Sequence, residues 1–432
     1  MEQLVKGYPR AYDVIVAGGG PAGVAAAVSA ARLGAKTALV ERFGVLGGML
    51  TSGHVQPILG RAEGLTMYDE VVALLSQGHG EGKKTVTRNG TEVSIDLEEA
   101  KHRLLKLCLE NGVYVYLQTP VIDVVKEGDR LTGLTICTAM GPETITAHAV
   151  VDATGDGYVA MRAGAPFEMG RADGRCQPAT LEFNVEGVDP DCDFFCYGGS
   201  SPITLPDGRR YAEVCKEAHE KGELPENVSI VRIHYTLQPG ERNINATQAN
   251  GFNTLTPEGA VGAEFLLREQ VEPIVKFLKK TVPGFENIRV KSSATALGVR
   301  ETRRFKGIRR VNGQDAVQGL VPEDSICLVS YKIDIHSGTD TGLLFTDIEE
   351  PYGIPYGCLV SAEMDNLLFA GRCISCDALS YGSLRVIPFC LAMGQAAAVG
   401  ACVADANGVV PAEADVAEIR RILFEQKAIL SM

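Results

Sequence analysis

Three glycines near the start of the chain have the spacing of a phosphate-binding turn. Gly18, Gly20 and Gly23 form the pattern G-x-G-x-x-G directly after the apolar run YDVIVA. The first glycine permits the tight turn, the second lets a pyrophosphate approach the main chain, and the third lets the next helix pack closely on the strand. The N–H groups at the start of that helix attract phosphate charge. The pattern therefore predicts a dinucleotide site.

An acidic residue ends the next apolar segment. TALVER carries Glu41, which follows the glycines by about the 20 residues typical of a dinucleotide fold. A carboxylate in this place hydrogen-bonds the ribose hydroxyls of an adenosine and repels a 2′-phosphate. Because strand, helix, second strand and acid occur in the required order, we interpret the glycines as a nucleotide turn rather than as an unrelated loop.

A second glycine pair follows the acid closely. Gly47 and Gly48 lie in RFGVLGGMLTSGHV, and such a pair can bring a second stretch of main chain against a long cofactor. That suits FAD better than NAD, whose site needs little beyond the first βαβ unit. His54 ends this segment, where an imidazole can take or give a proton near neutral pH. A histidine that is satisfied by the local main chain is the alternative.

The basic run RETRRFKGIRR supplies candidates for holding an anion. Arg300 and Arg303 can clamp a carboxylate or polarise a carbonyl. We interpret Arg309 and Arg310 as part of a solvated basic face, and Glu301 can pair with a neighbouring arginine.

Apolar segments must position these residues. YDVIVAG, TALVER and NLLFAG are apolar nearly throughout, which is typical of strands buried on both faces of a parallel sheet. DLEEAKHRLLKLCLENG has the apolar spacing of an amphipathic helix. Residues 386–404 are long enough to span a membrane, but Pro388, Gln395 and many alanines indicate a buried helix instead.

Composition and charge exclude several classes of protein. The 432 residues predict two or three domains, and the net charge of −13 argues against broad binding to nucleic acid or anionic membrane. The twelve cysteines lack the paired spacing of a zinc site, so no metal is predicted. The single C-x-x-C, Cys373 to Cys376, is interpreted as two buried small hydrophobes. MEQLVKGYPR has no apolar secretory region, and a cytoplasmic location is expected.

Two absences narrow the redox chemistry. No cysteine precedes Cys108, and no second G-x-G-x-x-G occurs. A disulfide reductase of the glutathione reductase type would carry an early pair of redox cysteines and a second glycine motif for its nicotinamide cofactor. Electrons should therefore come from a substrate or an external carrier rather than from a nicotinamide held in a domain of its own.

The N-terminal unit and five further segments together resemble the FAD-dependent oxidoreductase family, which is distantly similar to the fumarate reductase and succinate dehydrogenase flavoproteins. Besides the N-terminal unit they are LGGMLTSGHV, VVDATGDG, QPATLEFNVEGVD, ALGVRETRRFKG and the stretch NLLFAGRCIS to YGSLRVIPFCLAMGQAAA. The likeness extends over most of the chain in the family's order. It implies that the cofactor is FAD.

The resemblance also implies contacts to FAD along the chain. They are Gly18, Gly20 and Gly23 at the pyrophosphate, Glu41 at the adenosine ribose, Arg42, Gly47 and Gly48 at the middle of the cofactor, Val121 beside the adenine, Gly155 and Asp156 on the adenosine side, Gly371 and Arg372 at the ribityl and pyrophosphate part, and Ser383, Arg385 and Val386 near the flavin ring.

Further candidates follow from the same resemblance. His336 lies in YKIDIHSGT, a segment that approaches the active site in the family, and the phenol of Tyr381 can donate to a substrate oxygen. A helix that begins near Pro388 would point its positive end at the flavin. Many relatives have a histidine at the position of Ala378, so this chain uses another group or acts on another substrate.

These features predict an α/β fold with a discontinuous Rossmann-like FAD-binding domain, residues 1–162 and 291–432, and an inserted α+β substrate or cap domain, residues 163–290.

The function expected is hydride transfer between flavin N5 and a C–H or C=C bond of a small polar substrate. Arg300 would orient the substrate, and His54 or His336 would handle a proton. The alternatives are an electron-transfer flavoprotein with an iron–sulfur partner and a flavin-binding protein without turnover. The sequence leaves a homo-oligomer, an electron-carrier partner and covalent flavin attachment open.

Overall fold

The computed structural model describes residues 7–60, 66–76, 84–87, 90–338, 342–348, 350–428 and 430. The outer limits of the predicted domains, at residues 1 and 432, lie outside the described residues, as does most of the segment MEQLVKGYPR.

The described residues form the following strands: β1 (Ala11–Ala17), β2 (Thr37–Val40), β3 (Pro57–Leu59), β4 (Lys84–Thr87), β5 (Gly90–Ser94), β6 (Tyr114–Tyr116), β7 (Val121–Glu127), β8 (Arg130–Thr138), β9 (Gly141–Asp152), β10 (Phe167–Met169), β11 (Phe183–Glu186), β12 (Arg232–Tyr235), β13 (Glu241–Asn245), β14 (Arg289–Ser293), β15 (Arg303–Phe305), β16 (Ser325–Val329), β17 (Ile333–His336), β18 (Leu343–Thr346), β19 (Tyr352–Pro355) and β20 (Leu367–Phe369).

Their α-helices are α1 (Pro21–Arg32), α2 (Thr66–Ser76), α3 (Leu97–Glu110), α4 (Tyr158–Ala163), α5 (Tyr211–Glu220), α6 (Pro257–Glu269), α7 (Val271–Thr281), α8 (Gly313–Val317), α9 (Tyr381–Leu384), α10 (Ile387–Asn407) and α11 (Val416–Glu425).

The main sheet is built around parallel strands. Its order is β6-β2-β1-β9-β8-β7, and β20 pairs with β9 on the side away from β1. The pairs β2·β6, β1·β2, β1·β9 and β9·β20 are parallel, whereas β7, β8 and β9 form antiparallel hairpins. The side chains of β2 and β20 are buried along their whole length, as expected for strands covered on both faces. This architecture confirms the predicted α/β class.

Helices α1 and α10 pack against each other beside the main sheet. A Cβ on Gly394 would lie 2.0 Å from the carbonyl oxygen of Ala22, so the alanines and glycines of both helices permit this close contact. Helix α10 has the length and composition of a membrane span, but 94% of its most apolar window is buried inside the protein. This burial confirms the prediction of a buried helix over residues 386–404.

A second sheet has the order β12-β13-β11-β14 and is antiparallel throughout. It packs on α5 and α7 through its own hydrophobic cluster, in which Phe183, Tyr211, Phe277 and Phe285 are the largest buried members. Strand β14 extends past residue 290, and β10 pairs with β15. The domain limits at 162/163 and 290/291 stay a prediction.

Candidate functional site

The carboxyl ends of four parallel strands meet at one edge of the main sheet. Ala17 of β1 pairs with Val40 of β2 and Asp152 of β9, and Asp152 pairs with Phe369 of β20. The segments that follow these residues carry Gly18, Glu41, Gly155 and Gly371. Ligands of open α/β sheets bind outside this edge.

The glycine turn after β1 is packed without room for side chains at two positions. A Cβ on Gly18 would lie 2.4 Å from the oxygen of Ala153, and a Cβ on Gly23 would lie 1.7 Å from the oxygen of Gly18. A Cβ on Gly20 would meet no protein atom within 4 Å, and Gly20 lines the cavity in front of the turn. No side chain caps the start of α1, so this end of the helix fits a pyrophosphate.

Glu41 fixes the turn to the end of β2. One carboxylate oxygen accepts the N–H of Gly19, and the other accepts the N–H of Phe43 at 2.8 Å. Burial raises the pKa of Glu41, although these N–H donors oppose the effect. The side chain also borders the cavity. Its contact with an adenosine ribose stays a prediction.

The second glycine pair lies against the first turn, as a long cofactor site requires. Gly47 donates its N–H to the oxygen of Gly19 at 2.8 Å, and a Cβ on Gly48 would lie 2.9 Å from the Cα of Gly20. Arg42 lines the same cavity, with its guanidinium carbon 4.8 Å from the centre of the Phe43 ring.

An ion pair joins the loops after β9 and β20. Nη2 of Arg372 lies 2.9 Å from Oδ1 of Asp156, which also accepts the hydroxyl of Thr302 at 3.0 Å. Burial alone would raise the pKa of Asp156, but the positive charge of Arg372 outweighs it and holds that pKa below its usual value. Asp156 and Arg372 border the cavity together with Gly155 and Gly371.

Most of the remaining predicted cofactor residues also line this cavity. Val121, Arg385 and Val386 do so, and α10 begins beside it with Pro388 in its first turn, as predicted. Ser383 is not among the lining residues. It is fully buried, and its hydroxyl lies 2.7 Å from that of Tyr352.

The cavity has a volume of about 710 Å³, within the range of about 300–1,000 Å³ typical of small-molecule sites. Besides the glycine turns it is bordered by the inner cluster, which we define as Glu92, Glu182, Arg232, His234, Arg300, Tyr331, Asp334, His336 and Arg385. Of the four predicted catalytic residues, Arg300 and His336 belong to this cluster.

His54 and Tyr381 are not among the residues that line the cavity. Nε2 of His54 lies 3.3 Å from the hydroxyl of Ser292, and its carbonyl accepts from Asn243 at 3.0 Å. Burial lowers the pKa of His54. Tyr381 is 1% exposed, and its ring lies 5.7 Å from the guanidinium carbon of Arg304. Their catalytic roles remain predictions that this placement does not favour.

The basic run divides between the cavity and the surface. Arg300 donates to the oxygen of Pro178 at 2.8 Å and is held in the cavity wall. Glu301 forms a buried ion pair with Arg304, as predicted for a neighbouring arginine. Arg309 and Arg310 are half-exposed and pair with acidic residues, which fits the predicted solvated face. Cys373 and Cys376 are buried and free, as predicted.

Sequence reasoning missed most of the inner cluster. Glu182 lies in the quoted segment QPATLEFNVEGVD, where polar Thr180 and Glu182 alternate with buried apolar residues. The same alternation places Arg232 and His234 on one face of β12. The available signal was the alternation of charged and apolar residues with a period of two. In a strand this period places the charged side chains on one face.

Positive charge is crowded at the inner cluster. Burial, together with the nearby charges of Arg385 and Arg232, lowers the pKa of Arg300 to about 9. Burial also holds the pKa of His336 well below its usual value, and the same arginines add to this effect. His336 is therefore a neutral imidazole near pH 7, whereas Arg300 keeps its charge.

Glu182 is the acidic counterpart of these arginines. It is 2% exposed, and its Oε2 has no hydrogen-bond partner among the described residues. Burial raises its pKa to about 7, although the positive charges of His234 and Arg300 oppose the effect. Near neutral pH, Glu182 therefore changes its protonation state readily.

This burial predicts a pH-dependent stability. Below pH 4.5, the ordinary value for Glu182, the carboxyl is protonated in both the folded and the unfolded chain. As pH rises towards 7, the unfolded chain ionises first and the folded protein loses stability. The free energy of unfolding is measured by urea denaturation for wild type and for Glu182→Gln. The difference, variant minus wild type, should increase by about 2–3 kcal/mol from pH 4.5 to pH 7.5. The exposed Glu110→Gln variant is the control, and equal slopes in both variants would contradict the prediction.

Comparisons with known proteins identify the family and the fold of the chain. A profile of the family described as FAD dependent oxidoreductase matches residues 13–423. The digeranylgeranylglycerophospholipid reductase of Picrophilus torridus is 28% identical over 228 residues, which are 47% of this chain and 55% of the relative. The thiamine thiazole synthase of Methanothermobacter thermautotrophicus is 30% identical over 153 residues, which are 33% of this chain and 55% of the relative. The chain thus spans about half the length of these curated relatives.

Solved structures share the fold at low identity. A geranylgeranyl bacteriochlorophyll reductase-like protein from Thermoplasma acidophilum superposes with a TM-score of 0.54 at 16% identity, over 97% of this chain and 84% of that one. A flavin-dependent brominase gives a TM-score of 0.50 at 13% identity, over 96% of this chain and 83% of that one. Such identities show a common Rossmann-type fold only.

Proposed function

Because this chain belongs to the FAD-dependent oxidoreductase family, we propose that it transfers a hydride between FAD and a C–H or C=C bond of a small polar substrate that carries a negative charge. The cofactor is FAD, and the glycine cradle formed by Gly18, Gly20 and Gly48 fits its pyrophosphate. When bound, FAD supplies the two-electron acceptor and donor of the reaction.

The crowding of guanidinium groups carries the proposal. Arg232, Arg300 and Arg385 all line the cavity, and the charges of Arg232 and Arg385 depress the pKa of Arg300. Among the described residues, Arg385 alone of these three arginines forms an ion pair within 4.0 Å, with Nη2 3.5 Å from Oδ2 of Asp334. An anionic substrate group would relieve this repulsion and be held strongly in a site of low dielectric.

Other residues of the cluster complete the expected binding site. The neutral imidazole of His336 can donate or accept one hydrogen bond, and its main-chain N–H is fixed by the side-chain oxygen of Gln177 at 3.0 Å. Arg300 and Glu182 are nearly inaccessible to water, so polar contacts to a substrate would not compete with bulk solvent. These features support orientation of the substrate by Arg300 beside the cofactor.

The other readings have less support. Delivery of electrons to an iron–sulfur partner does not require several buried ionisable side chains around one cavity, and binding without turnover does not require them either. Two of the curated relatives matched over about half their length are named as reductases, which supports redox chemistry on an organic substrate.

The proposal is tested by spectroscopy on the purified protein. We expect a yellow holoprotein with the absorbance of oxidised flavin, which loses its colour under anaerobic conditions when an anionic hydroxy acid is added. Neutral analogues of the same substrates, such as the amides, should act far more slowly. Two results together would refute hydride transfer with a small polar substrate. The oxidised flavin would keep its colour with hydroxy acids and sugars, and the reduced flavin would not regain its colour with unsaturated acids.

A further inference from the structure

We propose that His234 is the catalytic acid–base of the inner cluster and that Glu92 positions it. This inference rests on the proposed function and names the group that exchanges the proton with the substrate. It also narrows the substrate class to anions with a hydroxyl on the carbon that exchanges the hydride.

Glu92 and His234 form a buried pair. Nδ1 of His234 lies 2.8 Å from Oε1 of Glu92, and the two side chains are 3% and 5% exposed. A carboxylate oxygen accepts, so Nδ1 carries the hydrogen and Nε2 holds the lone pair of the neutral ring. A histidine oriented in this way by an acid is the general arrangement of an activated base.

The second ring nitrogen of this pair lacks a protein partner in the part of the chain that the structure describes. Nε2 of His234 is buried without a hydrogen-bond partner among the described residues, as is Oε2 of Glu182. Both residues line the cavity. A buried polar atom without a partner is costly, and a substrate hydroxyl would supply the missing contact.

The proton step balances the hydride transfer. The substrate O–H bond breaks, its proton goes to Nε2 of His234, and its electron pair forms the second bond of the new carbonyl. The C–H bond on the same carbon breaks, and its hydrogen leaves with both electrons as hydride to FAD. In the reverse direction His234 returns the proton to the oxygen.

The surroundings of His234 decide its charge. Glu92 of β5 and Glu182 beside β11 contribute negative charge, Arg232 on β12 contributes positive charge, and Asn243 of β13 is its neutral strand partner. Burial alone would lower the pKa of His234, but the charge of Glu92 outweighs it and raises that pKa. The oxidation of substrate needs the neutral ring, so its kcat/KM should rise with pH through this pKa.

Kinetics of the holoenzyme provide the first test. His234→Gln should lower kcat/KM about 100-fold and remove the rise with pH, while the FAD content stays that of wild type. Glu92→Gln should shift the rise to lower pH, because the negative charge that raises the pKa of His234 is removed. The control is His148→Gln, which breaks a similar pair at the surface, with Nδ1 2.9 Å from Asp405. An unchanged pH profile in the His234 variant would overturn the inference.

Histidine NMR provides a second test that does not depend on turnover. In the substrate-free holoprotein, the pKa of His234 should lie above 6.5 and should fall when Glu92 is replaced by glutamine. An ordinary or depressed pKa, or no response to Glu92→Gln, would overturn the role of the pair even if the flavin is reduced by a substrate. The opposite outcome is also distinguishable. If no substrate reduces the flavin but the pKa of His234 shows the expected response, the proposed function is refuted and the role of the Glu92–His234 pair is not.

Discussion

Replacing Arg300 with methionine is expected to lower kcat/KM about 1,000-fold. Arg300 is 8% exposed and its guanidinium is anchored to the oxygen of Pro178, so a substrate anion would meet it in a dry, fixed geometry. Loss of one partner from a buried charge pair costs about 2–5 kcal/mol, and about 4 kcal/mol corresponds to this factor. Steady-state kinetics with the anionic substrate found in the anaerobic screen measure the loss.

The same basic run provides a matched control. Arg309→Met removes a half-exposed guanidinium that lies 2.6 Å from Asp324 at the surface, and such pairs contribute about 0–1 kcal/mol. This variant should keep wild-type kinetics. Arg300→Lys keeps the charge without the planar fork and should fall between the two. If Arg300→Met retains its FAD and loses less than about fivefold of kcat/KM, Arg300 does not hold the substrate.

Replacing Gly20 with alanine is expected to weaken FAD binding about 1,000-fold without unfolding the protein. The new Cβ would meet no protein atom within 4 Å, but it would stand in the cavity where the pyrophosphate has to approach the main chain. Loss of two charge-assisted hydrogen bonds at about 2 kcal/mol each corresponds to this factor. Flavin fluorescence titration of the apoprotein, with thermal unfolding measured in parallel, separates affinity from stability.

Two other glycines complete the experiment. Gly199→Ala has equally open space at an exposed position and should bind FAD as wild type does. Gly18→Ala places a methyl group against the main chain of Ala153 at a φ of +95°, so it should destabilise the fold itself. Wild-type affinity in Gly20→Ala would show that the pyrophosphate does not lie against this turn.

The cofactor side of the site could be predicted because its signals are local. The apolar strand, the turn at Gly18 to Gly23 and the acid Glu41 fall within a single βαβ unit. Gly18 and Gly23 are each required by a short contact with the main chain, and such a requirement is visible in the residue type. The buried helix α10 was equally evident, since its apolar residues cover every face.

The substrate side could be predicted only in part. Arg300 was found through its basic neighbours, but nothing in the sequence distinguished His336, which lines the cavity, from His54, which does not. His54 has a positive φ of 55°, and its ring lies near the hydroxyl of Ser292 instead. Only the folded chain shows such a direction.

The sequence by itself determined the α/β class, the FAD cradle and the buried helix, because each depends on neighbours within a few turns or strands. The tertiary structure decided which charged groups meet. Glu92, Glu182 and His234 come from β5, the residue before β11, and β12, and the long-range pairing of β11 and β12 with β13 helps to bring them together. The register between strands that are far apart in the sequence is set by packing of the whole sheet. Local sequence patterns therefore do not predict which of these charged residues meet.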